Sequence, residues 1–178
     1  MTSVTAPDTV LAARELASPV ETEALAEELS LLARPGFVVL LNGDLGAGKS
    51  TFARSFIRAL TSGPPAAEIP SPTFTLVQAY DETRIPVLHA DLYRIRDAAE
   101  VEELGLEEQL RDRLLLVEWP ERADWSAFAD VLTVELSGRG NRRTARLAAR
   151  GAWARALARN DQIANFVSAS TWNGAKRR

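Results

Sequence analysis

Gly43-Asp44-Leu45-Gly46-Ala47-Gly48-Lys49-Ser50-Thr51 fits G-x-x-x-x-G-K-[ST], the pattern of a phosphate-binding loop. Its flanks agree with that reading. Phe37-Val38-Val39-Leu40-Leu41 is a continuous apolar run, as expected of a strand covered on both faces. Phe52, Phe56, Ile57 and Leu60 recur at helical spacing and mark one face of a helix. Strand, glycine-rich loop and helix in that order is the context the motif requires.

A polyphosphate needs many donors held close together. Gly43, Gly46 and Gly48 let backbone N–H groups turn inward with no Cβ in the way, and Asp44, Leu45 and Ala47 carry the same loop between them. The following helix adds its positive N-terminal end. Lys49 is expected at the β- and γ-phosphates, the Ser50 hydroxyl on Mg²⁺, and Thr51 on the α-phosphate side.

The chain has 178 residues, 46% of them apolar, which fits one domain with a sizeable core. It lacks the long apolar run of a membrane-spanning helix, of about 18 residues. Its N-terminus lacks the basic-then-apolar order of a signal peptide. There is no cysteine, which excludes disulfides and thiolate metal sites. The missing signal and the nucleotide motif together favour the cytoplasm. A net charge of −3 argues against gripping nucleic acid by bulk electrostatics, so contact with RNA is expected to be local or through a partner. Asp97 to Glu108 is acidic and Arg139 to Arg150 basic; each is either a solvated face or a docking surface.

Residues 1–13 show no clear periodicity and read as a loose N-terminus, with a short strand around Arg14 to Ala17. Ser18-Pro19-Val20-Glu21 reads as a capping box opening a helix to about Ala33, with Leu25, Leu29 and Leu32 inward and Pro35-Gly36 as its stop. Gly63-Pro64-Pro65 opens an irregular segment. Thr73 to Tyr80 and Ile85 to Ala90 read as a hairpin across Asp81-Glu82-Thr83-Arg84. Ala98 to Leu104 and Leu106 to Leu110 read as helices broken by Gly105. Leu114 to Val117 is a second wholly apolar strand, Val131 to Leu136 and Thr144 to Ala149 form another hairpin, and Trp153 to Arg159 is a short helix. Residues 161–178 end in Lys176-Arg177-Arg178 and read as a flexible tail. The expected fold is α/β: a P-loop NTPase-like, three-layer domain over residues 14–160 with a mixed sheet, parallel at its centre and antiparallel toward its edge.

Ligands bind beyond the carboxyl ends of the strands in open α/β sheets. Two acids end apolar strands there, Asp91 after Val87-Leu88-His89-Ala90 and Glu118 after Leu114-Leu115-Leu116-Val117. Either holds the metal, orients the attacking water, or caps a strand-end loop. Thr73, in Ser71-Pro72-Thr73-Phe74, stands where phosphate-sensing switches lie: it contacts the γ-phosphate or its Mg²⁺, or belongs to a Pro-containing turn. Trp119 is either core or a wall of the nucleotide site. His89, the only histidine, reads as structural.

Five blocks in order carry a resemblance: the loop with Phe52; Ser71-Pro72-Thr73-Phe74-Thr75-Leu76-Val77; His89-Ala90-Asp91-Leu92-Tyr93-Arg94; Leu104-Gly105-Leu106; and Val117-Glu118-Trp119-Pro120-Glu121. Over roughly residues 14 to 159 the chain resembles the bacterial TsaE (YjeE) family, the small ATPase of tRNA threonylcarbamoyladenosine synthesis. The resemblance implies binding of ATP and Mg²⁺ with slow hydrolysis. It also implies work with TsaB and TsaD partners, which transfer a threonylcarbamoyl group to the adenosine next to the anticodon; tRNA is met only through that complex. By position, Lys49 would take the phosphate-lysine role and Ser50 the metal. Glu118 would be a second metal-side or catalytic acid, Asp91 an essential acid near the phosphates, Thr73 the switch, and Thr22 a neighbour of the base. Ser50 stands where many relatives carry Thr, and the hydroxyl is retained. The tail after Asn160 matches no family block. The main rival is a small-molecule kinase, with Arg139 to Arg150 as its lid, but that segment reads as a hairpin. A GTPase is disfavoured because there is no Asn-Lys-x-Asp segment. A nucleotide-dependent binding module shades into the slow-ATPase reading.

Overall fold

The computed structural model describes residues 9–61 and 69–160. The expectations for residues 1–8, for the segment from Gly63 and for the tail from Asp161 lie outside the described residues. In chain order the elements are β1 (Thr9–Leu16), α1 (Pro19–Ser30), β2 (Val38–Asn42), α2 (Lys49–Leu60), β3 (Val77–Tyr80), β4 (Val87–Asp91), α3 (Ala98–Glu102), α4 (Leu106–Gln109), β5 (Leu114–Glu118), β6 (Val131–Ser137), β7 (Arg143–Ala149) and α5 (Gly151–Ala158). Short 3-10 turns follow α4 and β5.

The strands form one seven-stranded sheet in the order β1-β7-β6-β2-β5-β4-β3. β6, β2, β5 and β4 run parallel. β3 closes one side antiparallel, and β7 and β1 close the other. The sheet is therefore parallel at its centre and antiparallel at both edges. Because the β2–β5 and β4–β5 pairs are parallel and in register, Asp91 lies level with Glu118, which in turn lies beside the end of β2, from which the glycine-rich loop departs.

The two apolar runs are continuous because each strand feeds two cores. Val39 and Leu41 of β2 join a cluster with Leu25 and Leu29 of α1, Phe52, Phe56 and Ile57 of α2, and Trp153 of α5. Val38 and Leu40 face the opposite layer with Val117, Val101, Leu106 and Trp125. Phe52 and Phe56 are fully buried, each contributing about 1.5–3 kcal/mol by removal from water. That burial pins α2, and so the lysine and hydroxyls of its first turn, against the sheet.

Several boundaries differ from the sequence expectation. The first strand begins at Thr9, so Thr9, Val10, Ala12 and Ala13 pair with β7 rather than being loose, with a register shift at Leu11. The Ser18 side chain makes no cap hydrogen bond; Glu21 instead accepts one from the Ala17 N–H at 3.0 Å, and α1 stops at Ser30. The strand expected from Thr73 starts only at Val77. Ahead of it the chain curls, with the Leu76 N–H donating to the Pro72 carbonyl at 2.7 Å and Leu76 at φ +62°. Gly105 separates α3 from α4 as expected. Among the described residues no helix is long and apolar enough to cross a membrane.

Candidate functional site

The loop 43–48 leaves β2 and enters α2 at Lys49. Gly43 is obligatory on steric grounds, since a Cβ there would stand 2.2 Å from the Leu136 carbonyl oxygen of β6. Gly48, at φ +103°, turns the chain into the helix in a region side chains rarely adopt. The two glycines set the loop against the sheet and aim the start of α2 over the strand ends.

A cavity of about 370 Å³ opens at that point. Of the predicted loop residues, Leu45, Gly46, Gly48, Lys49, Ser50 and Thr51 line it. Gly43, Asp44 and Ala47 stand behind the wall and shape it through their backbone. The carbonyls of Gly43 and Asp44 accept hydrogen bonds from Lys49 Nζ at 2.5 and 3.0 Å, and Ala47 is buried. Thr22 of α1 forms part of the wall and is itself buried. Thr73, Asp91, Glu118 and Trp119 complete the predicted set, brought in from three places in the chain.

Contacts among these side chains are specific. Ser50 Oγ donates to Glu118 Oε2 at 2.8 Å, and the other oxygen, Oε1, lies 3.0 Å from His89 Nε2. Thr73 Oγ1 donates to Asp91 Oδ2 at 3.0 Å, while Asp91 Oδ1 accepts the Tyr93 N–H at 3.1 Å. The curl before β3 is what carries Thr73 onto Asp91. Trp119 packs against the second core and also lines the cavity, its ring centroid 3.6 Å from Lys49 Nζ. It adopts φ +60°, an uncommon state for a bulky side chain that is characteristic of functional sites. Burial pushes the Lys49 ammonium below its ordinary range, and the Glu118, Glu121, Asp91 and Asp44 carboxylates pull it back up. A desolvated cation among acids gains most when an anionic ligand arrives.

Magnesium takes oxygen ligands, uses few from protein, and keeps several waters or ligand phosphate oxygens. Ser50 Oγ and Glu118 Oε2 offer two such oxygens at the mouth of the loop. Among the described residues no cluster of three or more His, Cys, Asp or Glu side chains could hold a metal by itself. The donor set thus fits an ion that arrives with a polyphosphate.

Sequence reasoning missed Pro19, Tyr93, Asn141 and Arg143, which also line the cavity. Arg143 is the most consequential. Its Nε donates to the Ala47 carbonyl at 2.8 Å and its Nη2 to the Gly46 carbonyl at 3.0 Å, so it holds the loop from outside. The basic run is therefore not a uniform solvated face: Arg150 likewise turns inward, donating to the Phe128 carbonyl at 3.0 Å. Replacing Arg143 by alanine frees two loop carbonyls and is expected to weaken polyphosphate binding by about tenfold, near 1.4 kcal/mol, measured by titration calorimetry.

The family model described as "Threonylcarbamoyl adenosine biosynthesis protein TsaE" matches residues 16–146, the span that holds every candidate site residue named above. The chain belongs to the TsaE family. Similar TsaE proteins, each named a tRNA threonylcarbamoyladenosine biosynthesis protein, include that of Rickettsia conorii, 44% identical over 60% of this chain and 59% of its own. That of Bacillus subtilis is 42% identical over 57% and 62%. That of Aquifex aeolicus is 41% identical over 60% and 75%. The chain thus spans about three fifths of the length of the curated relatives it matches first. Among solved structures, Bacillus subtilis YdiB superposes with a TM-score of 0.63 at 27% identity, over 92% of this chain and 97% of that one. The α/β, P-loop-like architecture of this TsaE chain is shared with that neighbour. α5 lies beyond the matched span.

Proposed function

We propose that this TsaE chain is a slow, Mg²⁺-dependent ATPase serving threonylcarbamoyladenosine modification of tRNA next to the anticodon, in concert with TsaB and TsaD proteins. The observation that carries the reading is the convergence of Lys49, Ser50, Thr73, Asp91 and Glu118 in the lining of one cavity. In this reading the loop N–H groups and the α2 N-terminus bind the β-phosphate, and Lys49 bridges β and γ. Mg²⁺, when bound, neutralises phosphate charge and polarises the γ-phosphorus. Ser50 and Glu118 hold its protein side. Asp91 holds Thr73 so that its hydroxyl faces the γ-phosphate. Thr22 borders the base, and Trp119 covers Lys49 and keeps water from its flank.

Slow turnover follows from the cations available. Among the described wall residues the only arginine is Arg143, whose Nε, Nη1 and Nη2 donate to the carbonyls of Ala47, Gly140, Arg142 and Gly46. An arginine finger is worth about 10³–10⁵ in rate where one reaches the transferring phosphoryl group. None reaches it from this wall, which leaves room for a partner to stimulate hydrolysis.

The deciding experiment measures ATP hydrolysis by the chain alone and with purified TsaB, TsaD and tRNA. Partner-stimulated release of phosphate, with no phosphorylated small molecule, is the expected result. Phosphoryl transfer to a small molecule without partner stimulation would establish the kinase instead.

The segment Ser71 to Thr75 is expected to be ordered by nucleotide. Among the described residues only Thr73 of the segment lines the cavity, held by its bond to Asp91, and Phe74 is 87% exposed with the Arg94 guanidinium 5.9 Å from its ring centroid. Limited proteolysis should cut near Pro70 more slowly with a non-hydrolysable ATP analogue and Mg²⁺ than without. Equal cutting in both would remove the switch role.

A further inference from the structure

We infer that His89 is a positioning residue for Glu118: its imidazole fixes one carboxylate oxygen so that the other stays on Ser50. This rests on the ATP-hydrolysing reading of the site given above. His89 lies on β4 two residues before Asp91, hence on the same face of the sheet, and β4 pairs in parallel with β5, which ends in Glu118. The imidazole is 0% exposed and Glu118 1% exposed. Nε2 lies 3.0 Å from Glu118 Oε1, and Nδ1 has no hydrogen-bond partner among the described residues. Facing a carboxylate, Nε2 carries the proton and donates.

A buried side chain with one ring nitrogen unpartnered is not a choice that packing favours, because an aliphatic residue would fill a strand position without that desolvation cost. The polar chemistry of His89 goes entirely to Glu118. The carboxylate is thereby held at both ends: Oε1 by His89 from the sheet, Oε2 by the Ser50 hydroxyl from α2. Without His89, Oε1 is left buried without its donor and the side chain is free to rotate about its terminal torsion, which is broad for glutamate. The carboxylate then loses its alignment at the metal side of the cavity while the phosphate loop, Lys49 and the bound phosphates are untouched. Its loss should therefore appear in kcat and not in nucleotide affinity.

The test compares His89→Leu, His89→Gln and Glu118→Ala, with the double variant His89→Leu/Glu118→Ala. His89→Leu is expected to lower kcat at least tenfold and to leave the Kd for a non-hydrolysable ATP analogue with Mg²⁺ within about twofold, and His89→Gln, whose amide N–H has similar reach, to recover most of the loss. In the Glu118→Ala background, where no carboxyl oxygen is left for His89 to fix, His89→Leu should cost nothing further, since a residue that acts through Glu118 has no separate effect. Fold-losses that multiply in the double variant, an unchanged kcat in His89→Leu, or a loss confined to Kd would each overturn the inference. Should His89→Leu not fold, His89→Gln against His89→Asn makes the same comparison, because both amides are polar and only glutamine reaches Glu118. Crystal structures of wild type and His89→Leu give a readout free of turnover. A Ser50–Glu118 contact unchanged in His89→Leu overturns the positioning role even if the chain proves not to hydrolyse ATP. Normal wild-type hydrolysis with no effect of His89→Leu overturns this inference alone.

Discussion

Lys49→Ala is expected to raise the Kd for ATP about 100-fold, near 2.8 kcal/mol, in line with charge-assisted hydrogen bonds to a polyphosphate. The geometry explains why the effect is large in binding and small in folding. Lys49 is nearly fully buried, its Nζ shared between the Gly43 and Asp44 carbonyls and the face of Trp119. Burial acts against its charge, and the surrounding carboxylates only partly offset that. Alanine removes a desolvated cation that the ligand-free fold keeps at a cost, so the melting temperature without nucleotide should change little. With ATP and Mg²⁺ the wild type gains stability by mass action, about 2.7 kcal/mol at a hundred times Kd, and the variant at the same concentration loses most of that gain. Paired thermal melts with and without ATP measure both quantities. An undiminished ATP-induced rise in the variant would show that the cavity does not bind nucleotide through this loop.

What could be read beforehand follows the range over which each signal acts. β2, the loop and α2 were legible because strand, turn and helix are local, and the period changes from an unbroken apolar run to helical spacing between Leu41 and Phe52. β5 was legible for the same reason. Thr73 to Leu76 misled because Thr and Phe favour extended backbone. Tertiary contacts prevail there: the Asp91 N–H donates to the Leu76 carbonyl and Asp91 draws in Thr73, so the chain curls first. The Ser18 box had the right letters, but the Glu21 carboxylate reaches the Ala17 N–H, and the serine makes no cap bond.

The site divides in the same way. The two acids at apolar strand ends were legible as candidates, since the carboxyl end of a parallel strand is where ligands sit. Their partners were not. Nothing local separates Arg143 from Arg142 or Arg146; the hairpin register that pairs Ser137 with Thr144 places Arg143 at the loop. A lone histidine on an apolar strand reads as core, and only the non-local β4–β5 pairing sets His89 under Glu118. Pairings between distant segments leave no mark in any single window of sequence.

Glu118→Ala is expected to lower kcat by about 100- to 1,000-fold, 2.7 to 4 kcal/mol of barrier, with ATP affinity held within about threefold. In the proposed reading the two effects separate because the phosphates are bound mainly by the loop N–H groups and Lys49, whereas the side-chain hydrogen bonds of Glu118 among the described residues go to Ser50 and His89. Removing a carboxylate from beside an anionic ligand cannot weaken binding by direct repulsion; what it removes is the oxygen that completes the Ser50 side of the metal position. Glu118→Gln separates charge from shape, because the amide keeps the volume and a hydrogen-bonding oxygen while losing the negative charge. If charge at the metal side is what matters, glutamine should be nearly as slow as alanine; if only the Ser50 contact matters, glutamine should be close to wild type. Single-turnover hydrolysis with TsaB, TsaD and tRNA present reads the chemical step for both. Normal turnover in Glu118→Ala would pass the role to Asp91, which ends the neighbouring strand at the same level and already orients Thr73. Asp91→Asn would then carry the loss.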